Sequence, residues 1–435
     1  MMIATDLPSP VWPIWKKVLF RLFFIYLFFQ LSPWNWVARI PVLGYPARCY
    51  SKLMDWAVNA ANAKFFHVAP VLVPTNGSGD TSFAWAELWL TISLAVIGCI
   101  IWSVIDRRRR NYSVLNYWLC LFARYYIATY AFVYGFFKVF ALQMAFPSLH
   151  QLATPLGDLL PMRLSWLFIG YSTPYQVFSG AAEVLAGLLL LYRRTATLGT
   201  FIALGVFINV MVLNLCYDIP VKIFSMQLVL ACLFLLANEA GRIWDFFVLN
   251  KPAATGSLYA FRYRRKWMRV TRIVLKVAFI IIVVGLQFAY TFNIYKSVHK
   301  AAAEQVIRNG VYEVTDFSVD HRSIPMSLSD SLRWQDVIFE DGNGSTKTTD
   351  TLFRRRYGRG YFAYSADDQL HLLTFKKFKD DSVALLVFRY DMPDSNSLHL
   401  WGRRGADSLY VELQRTNRHF QLAERQFHWL SESNR

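Results

Sequence analysis

Cysteine is scarce in this 435-residue chain and acid is outnumbered: there are five cysteines, and 29 Asp and Glu against 46 Lys and Arg. Cys49, Cys99, Cys120, Cys216 and Cys232 show no CxxC or metal-ligand spacing, so they read as isolated thiols. None falls in the polar C-terminal third, which must fold without disulfides. No Walker, dinucleotide, zinc or catalytic-triad motif occurs, and His371, His399, His419 and His428 lack metal spacing. Charged residues make up only 17% of the chain against 55% hydrophobic and 17% aromatic, with mean hydropathy +0.28. That is too apolar for a soluble protein of this length and requires membrane spans. The net charge of +17 does not imply nucleic acid as a partner. The basic residues cluster at the ends of apolar runs, where the positive-inside rule puts them, so the expected partner is the lipid bilayer.

A span needs roughly 20 mostly apolar residues, and about seven such runs can be marked: 15–36, 83–105, 115–142, 165–191, 197–215, 219–236 and 273–295. Lys16, Lys17 and Arg21 place the N-terminus inside, with Trp34 and Trp36 as an aromatic belt at the far end. No small-residue cleavage site follows, so the first run reads as a retained span. Residues 45–66 read as a helix lying on the outer surface. In the turn-rich stretch 76–82, Asp80, Thr81 or Ser82 can cap the next helix. Asp106-Arg107-Arg108-Arg109-Arg110, Arg193-Arg194 and the basic stretch 262–272 mark the inside. An odd number of spans then leaves the C-terminus outside.

After Lys296 the pattern changes to short alternating runs, such as Leu409-Tyr410-Val411-Glu412-Leu413, separated by turns such as Asp341-Gly342-Asn343-Gly344. This is the signature of an antiparallel sheet, as a small barrel or sandwich. The expected fold is therefore an α-helical polytopic membrane protein followed by a mainly antiparallel β domain. The boundaries fall at 1–111 (two spans with an outer loop), 112–252 (a four-helix core), 253–300 (basic loop, last span and a linker helix over 296–308) and 301–435 (β-rich).

Polar residues inside or beside apolar runs are costly and mark sites or helix pairing. Counting depth at about 1.5 Å per residue puts Lys138, Asn214, Tyr217, Asp218, Lys222, Ser172 and Tyr175 near one outer level, with Asn209 and Glu183 deeper. Lys138 or Lys222 can bind an anion or a quinone carbonyl, and Asp218 can relay a proton. Equally, Asp218 and Lys222 can be an interfacial i,i+4 ion pair, with Lys138 snorkelling outward. Glu183 must be protonated or paired, with Arg124 as the expected partner. Asn209 fits a helix–helix hydrogen bond better than a ligand contact.

The central region resembles the DoxX-like family of bacterial membrane proteins. The residues that carry this are Tyr134-Gly135-Phe136-Phe137-Lys138-Val139-Phe140 with Gln143, Pro155-Leu156-Gly157-Asp158, Phe178-Ser179-Gly180-Ala181-Ala182-Glu183-Val184-Leu185-Ala186-Gly187 and Asn214-Leu215-Cys216-Tyr217-Asp218-Ile219-Pro220-Val221-Lys222. The similarity covers about 112–252 and extends back through Gly77-Ser78-Gly79-Asp80-Thr81. A more distant similarity, to the membrane region of vitamin K-dependent carboxylases, rests on Gly135 and Lys138. The DoxX resemblance implies a four-helix membrane bundle in the bacterial inner membrane, linked to redox metabolism. Quinone is then the candidate cofactor, with Lys138, Asp218 and Lys222 as catalytic groups. Ser172, Tyr175, Glu183, Asn209, Asn214 and Tyr217 become candidate cofactor contacts. The competing function is a non-enzymatic envelope protein whose periplasmic β domain binds a partner or lipid.

Overall fold

The computed structural model describes residues 11–32, 44–74, 79–252, 265–299, 306–326, 332–425 and 427–430. Trp34, Trp36, Asn76, Gly77, Ser78, residues 262–264 of the basic stretch and much of the expected linker helix lie outside the described residues. The chain divides into two compact units, Met1–Gln143 with Pro174–Ile294, and Met144–Thr173 with Tyr295–Arg435.

The first unit is helical: α1 (Ile14–Leu31), α2 (Gly44–Ala61), α3 (Ser82–Ile105) and α4 (Ser113–Val139) come first in the chain. The next two α-helices in the chain belong to the second unit: α5 (Leu149–Leu152) and α6 (Pro161–Tyr171). The first unit resumes with α7 (Thr173–Leu191), α8 (Ala196–Cys216), α9 (Lys222–Ala237) and α10 (Ala240–Phe247). A last helical run follows, α11 (Lys266–Phe279) and α12 (Gln287–Val298) joined through a wider π-type turn at Ile280–Leu286. Among the described residues, five helices are long and apolar enough to cross a membrane, counting the run 266–298 as one, or six if the bent α9–α10 pair is one span. These helices mark a membrane protein.

Polar contacts sort the helix ends. Arg21 of α1 donates to Tyr112 Oη at 2.8 Å, Ser103 Oγ at 2.8 Å and the Asp106 carbonyl at 2.9 Å. Tyr112 Oη in turn donates to Asp106 Oδ2 at 3.0 Å. A buried arginine with its donors filled costs far less than a bare one. These bonds hold the first turns of α1 beside the end of α3 and the start of α4. Asn116 of α4 reaches Asn238 at the end of α9 at 2.6 Å. At the opposite ends, Gly79 N–H donates to the Pro220 carbonyl at 2.8 Å, joining the starts of α3 and α9.

The expected fourth span, 165–191, is not one helix. Ser172 is extended (φ −106°, ψ 93°) between α6 and α7, because Pro174 has no N–H to bond the Gly170 carbonyl of a continuous helix and its ring would clash with that carbonyl. The helix expected over 45–66 is α2, prolonged by one π-type turn to Phe66.

The second unit is built on a closed barrel. Its strands are β1 (Gly310–Val319), β2 (Arg322–Ser323), β3 (Asp336–Glu340), β4 (Asn343–Thr346), β5 (Arg354–Arg356), β6 (Arg359–Asp367), β7 (Leu372–Lys376), β8 (Ala384–Asp391), β9 (Ser397–Arg404) and β10 (Asp407–Thr416). Each main strand pairs antiparallel with its neighbour in the order β1-β3-β4-β6-β7-β8-β9-β10, and β10 returns to β1 with Val411 opposite Phe317. β2 and β5 are short additions to β1 and β6. The sheet is thus an eight-stranded barrel, and closure removes the exposed edges that an open sheet would present.

Alternation along the strands aims one set of side chains inward, as in β10, where Leu409, Val411 and Leu413 are buried. The interior is aromatic. Trp334 packs against Phe317, Phe353, Phe375 and Phe388, and the Phe362 and Phe375 rings stack at 3.9 Å. Each such ring contributes about 1.5–3 kcal/mol of burial. An eight-stranded barrel has room for side chains or for one small ligand; here the centre is taken by side chains.

Candidate functional site

The structure brings the candidate residues of the helical unit together in two groups. Lys138, in the last turn of α4, forms an ion pair with Glu183 of α7, and both side chains are buried. Arg124, the expected partner of Glu183, instead lies over the Tyr125 ring. Close helix approach explains the pairing. A Cβ on Gly180 would stand 2.7 Å from the Gly135 carbonyl oxygen and from Lys138 Cβ, and one on Gly135 would stand 3.1 Å from the Gly180 carbonyl oxygen. Small residues at such a crossing let two backbones meet, which puts the lysine stem directly across from α7. Glu183 Oε1 takes the ammonium, while Glu183 Oε2 is buried without a hydrogen-bond partner. An orphaned buried carboxylate oxygen leaves an acceptor open for a proton donor.

The second group sits at the α8–α9 turn. Lys222 Nζ lies 2.7 Å from Asp218 Oδ1 and 3.7 Å from Asp80 Oδ2. Distance favours Asp218, but its side chain is 83% exposed whereas that of Asp80 is 8% exposed. Asp80 also accepts from the Lys222 and Ile223 N–H groups at 2.8 and 3.1 Å. It therefore caps α9 from a distant part of the chain, the role expected of it for α3. Thr81 takes that role instead, its hydroxyl accepting from Ala84 N–H at 3.3 Å. Asn214 is buried and donates to the Val221 carbonyl at 3.4 Å, which fixes the same turn.

Among the described residues no hydrogen bond or ion pair joins the two groups. Tyr175 and Tyr217 are exposed, Asn209 lies on an exposed face of α8, and Ser172 is the half-buried break before α7. The i,i+4 pair of Asp218 and Lys222 is present as the spacing predicted.

Sequence reasoning passed over a third polar group, in the barrel unit. His150 of α5 is buried, and its Nδ1 lies 2.8 Å from Ser345 Oγ of β4. Arg359 of β6 donates through Nε to the same hydroxyl at 2.8 Å and holds Asp336 with both of its terminal nitrogens. Glu340 of β3 accepts from Leu149 N–H with both oxygens at 3.0 Å. Burial, aided by the nearby Arg359 charge, lowers the His150 pKa to about 4, so the ring is neutral near pH 7. Burial pushes the Glu340 carboxyl up. The signal that could have found this group is the Ser148–Gln151 spacing, which forms a capping box inside a proline-rich loop.

Comparisons with known proteins add one partial likeness. The chain is 39% identical over 84 residues to Uncharacterized protein YwoB of Bacillus subtilis (strain 168). The match covers 19% of this chain and 54% of the relative, so the chain spans about half the length of the curated relative it matches. No protein-family profile matches. No solved structure matches.

Proposed function

We propose that this chain is a DoxX-like integral membrane protein of the bacterial cell envelope, with the Lys138–Glu183 pair as the quinone-facing group of a redox component. The observation that carries the reading is the open acceptor on Glu183 Oε2 beside a buried ammonium. A quinone headgroup offers a carbonyl that accepts from an ammonium, and its reduced form offers a hydroxyl that donates to a carboxylate. Ionisable groups at such depth are functional by default. The Asp80–Lys222–Asp218 group takes a structural role in this reading, holding the α8–α9 turn.

The same proposal puts the N-terminus in the cytoplasm and the barrel in the periplasm. Support comes from the start of α1: Lys17 and Arg21 bond the Arg109 and Asp106 carbonyls, so two basic stretches gather at one helix end, the kind of end that the positive-inside rule assigns to the cytoplasm. Native mass spectrometry of the full chain purified in mild detergent tests the site. A bound quinone is expected in the wild-type protein and absent from the K138M/E183Q variant. A protein that carries no quinone, or a variant that keeps it, refutes this assignment.

A second reading, a non-enzymatic envelope protein, draws on the filled barrel interior, which leaves the outer surface of that domain for a partner or lipid. Deleting residues 301–435 would then remove function, while Lys138 and Lys222 tolerate alanine.

A further inference from the structure

An open cleft of about 470 Å³ lies on the barrel unit, between the 148–150 segment, the β3–β4 hairpin, β6 and the residues after β7. That volume suits a small-molecule site, typically roughly 300–1,000 Å³. Its walls carry three cations, Arg354, Lys377 and Lys379, all exposed and none ion-paired with a carboxylate among the described residues. Its two carboxylates are already engaged. Glu340 accepts the Leu149 N–H, and Asp341 accepts from the Asn309 side chain at 2.8 Å.

His150, 7% exposed, lines the same cleft. Its Nε2 has no hydrogen-bond partner; the nearest carboxylate oxygen, Glu340 Oε2, is 3.5 Å away, too long for a good bond. Arg359 Nε–H donates to Ser345 Oγ, which leaves the hydroxyl hydrogen able to donate to His150 Nδ1. In that tautomer, which the Glu340 carboxylate oxygen 3.5 Å from Nε2 also favours, the ring proton sits on Nε2 as a buried donor without a hydrogen-bonded acceptor.

We propose that this cleft binds an oxyanion, a phosphate ester of small-molecule size, with His150 Nε2–H as the buried donor and Arg354, Lys377 and Lys379 as the surrounding charge. Three unpaired cations attract the anion from solution, and the neutral imidazole adds a directional bond at the floor. Arg354 stands over the Phe378 ring, 5.2 Å from its centroid, which holds one guanidinium at the rim. The phosphate can come from a soluble ester or from an anionic lipid headgroup.

The test uses the full chain in nanodiscs of phosphatidylcholine. Titration with glycerol 1-phosphate, followed by phosphorus NMR and calorimetry, reads the soluble source. Enrichment of phosphatidylglycerol from mixed nanodiscs reads the lipid source. Saturable binding in either arm is expected, weakened at least tenfold in K377A/K379A, whose side chains are exposed and whose fold should be unchanged. His150→Phe should weaken it further, and His150→Gln, which keeps a side-chain N–H, should retain more binding than His150→Phe. No saturable binding in either arm below about 10 mM overturns the proposal, as does binding that K377A/K379A leaves intact.

Discussion

Lys138→Met leaves Glu183 at 2% exposure with both carboxylate oxygens unpartnered, since Oε2 has no partner even in the intact pair. Glu183→Gln strands the Lys138 ammonium in the same place, at 6% exposure. Breaking a buried ion pair from one side costs about 3–5 kcal/mol, because the surviving charge is left without compensation. K138M/E183Q removes both charges at similar volume and should fall within about 1–2 kcal/mol of wild type. The coupling energy between the two positions should then exceed about 3 kcal/mol. Reversible unfolding in mixed micelles, monitored by tryptophan fluorescence, measures it. Single replacements that each cost under about 1 kcal/mol would mean a solvated pair, and a double replacement as costly as the sum would mean no pairing at all. Either outcome refutes the reasoning. The stable double variant also separates folding from quinone retention: function lost in a protein that still folds belongs to the charges.

Three more outcomes follow from particular contacts. Asp80→Ala should destabilise by about 1–2 kcal/mol through the lost cap on α9, whereas Asp218→Ala should change stability little, and chemical unfolding of both ranks them. His150 makes acid stability titrate. Its folded pKa of about 4 lies below its unfolded value of 6.5, so the unfolded state binds the extra proton and stability falls as pH drops from 6.5 to about 4. The full effect is about 3 kcal/mol; Glu340, raised by burial, has the opposite slope just above its ordinary range, and Arg359, Asp336 and Tyr361 also face the ring. His150→Gln should flatten the barrel's unfolding-versus-pH curve over that window; an unchanged curve sinks the assignment. Cys216, exposed at the end of α8, should react with a membrane-impermeant maleimide from the periplasmic side once Cys49 is replaced by Ser. Labelling from the cytoplasmic side alone would invert the proposed topology.

How much of this was legible depends on how far each residue's partner lies along the chain. Apolar runs, basic flanks and alternating β segments are local signals, and α3, α8 and β8–β10 follow them closely. The i,i+4 pair of Asp218 and Lys222 is local too. The partners that matter most are distant: Glu183 meets Lys138 from 45 residues away, and Asp80 caps α9 from 142 residues away. Glu183 reads as a carboxyl that needs a partner and Asp80 as a cap for the helix next in sequence, but helix periodicity gives neither its actual neighbour.

β4 shows the limit most clearly. Asn343-Gly344-Ser345-Thr346 has no apolar residue, and its first two residues read as part of a turn, yet Gly344, Ser345 and Thr346 are all buried. Gly344 is fixed by the Phe362 ring, which a Cβ there would meet at 2.2 Å. Ser345 is fixed by Arg359 and by His150 from the loop that folds against the barrel. A strand held by a ring and a polar network carries no hydrophobic period, so its pattern cannot announce it. The same network leaves His150 Nε2 without a partner at the cleft floor. The feature hardest to read from the chain is thus the one that supplies the barrel unit with a candidate site.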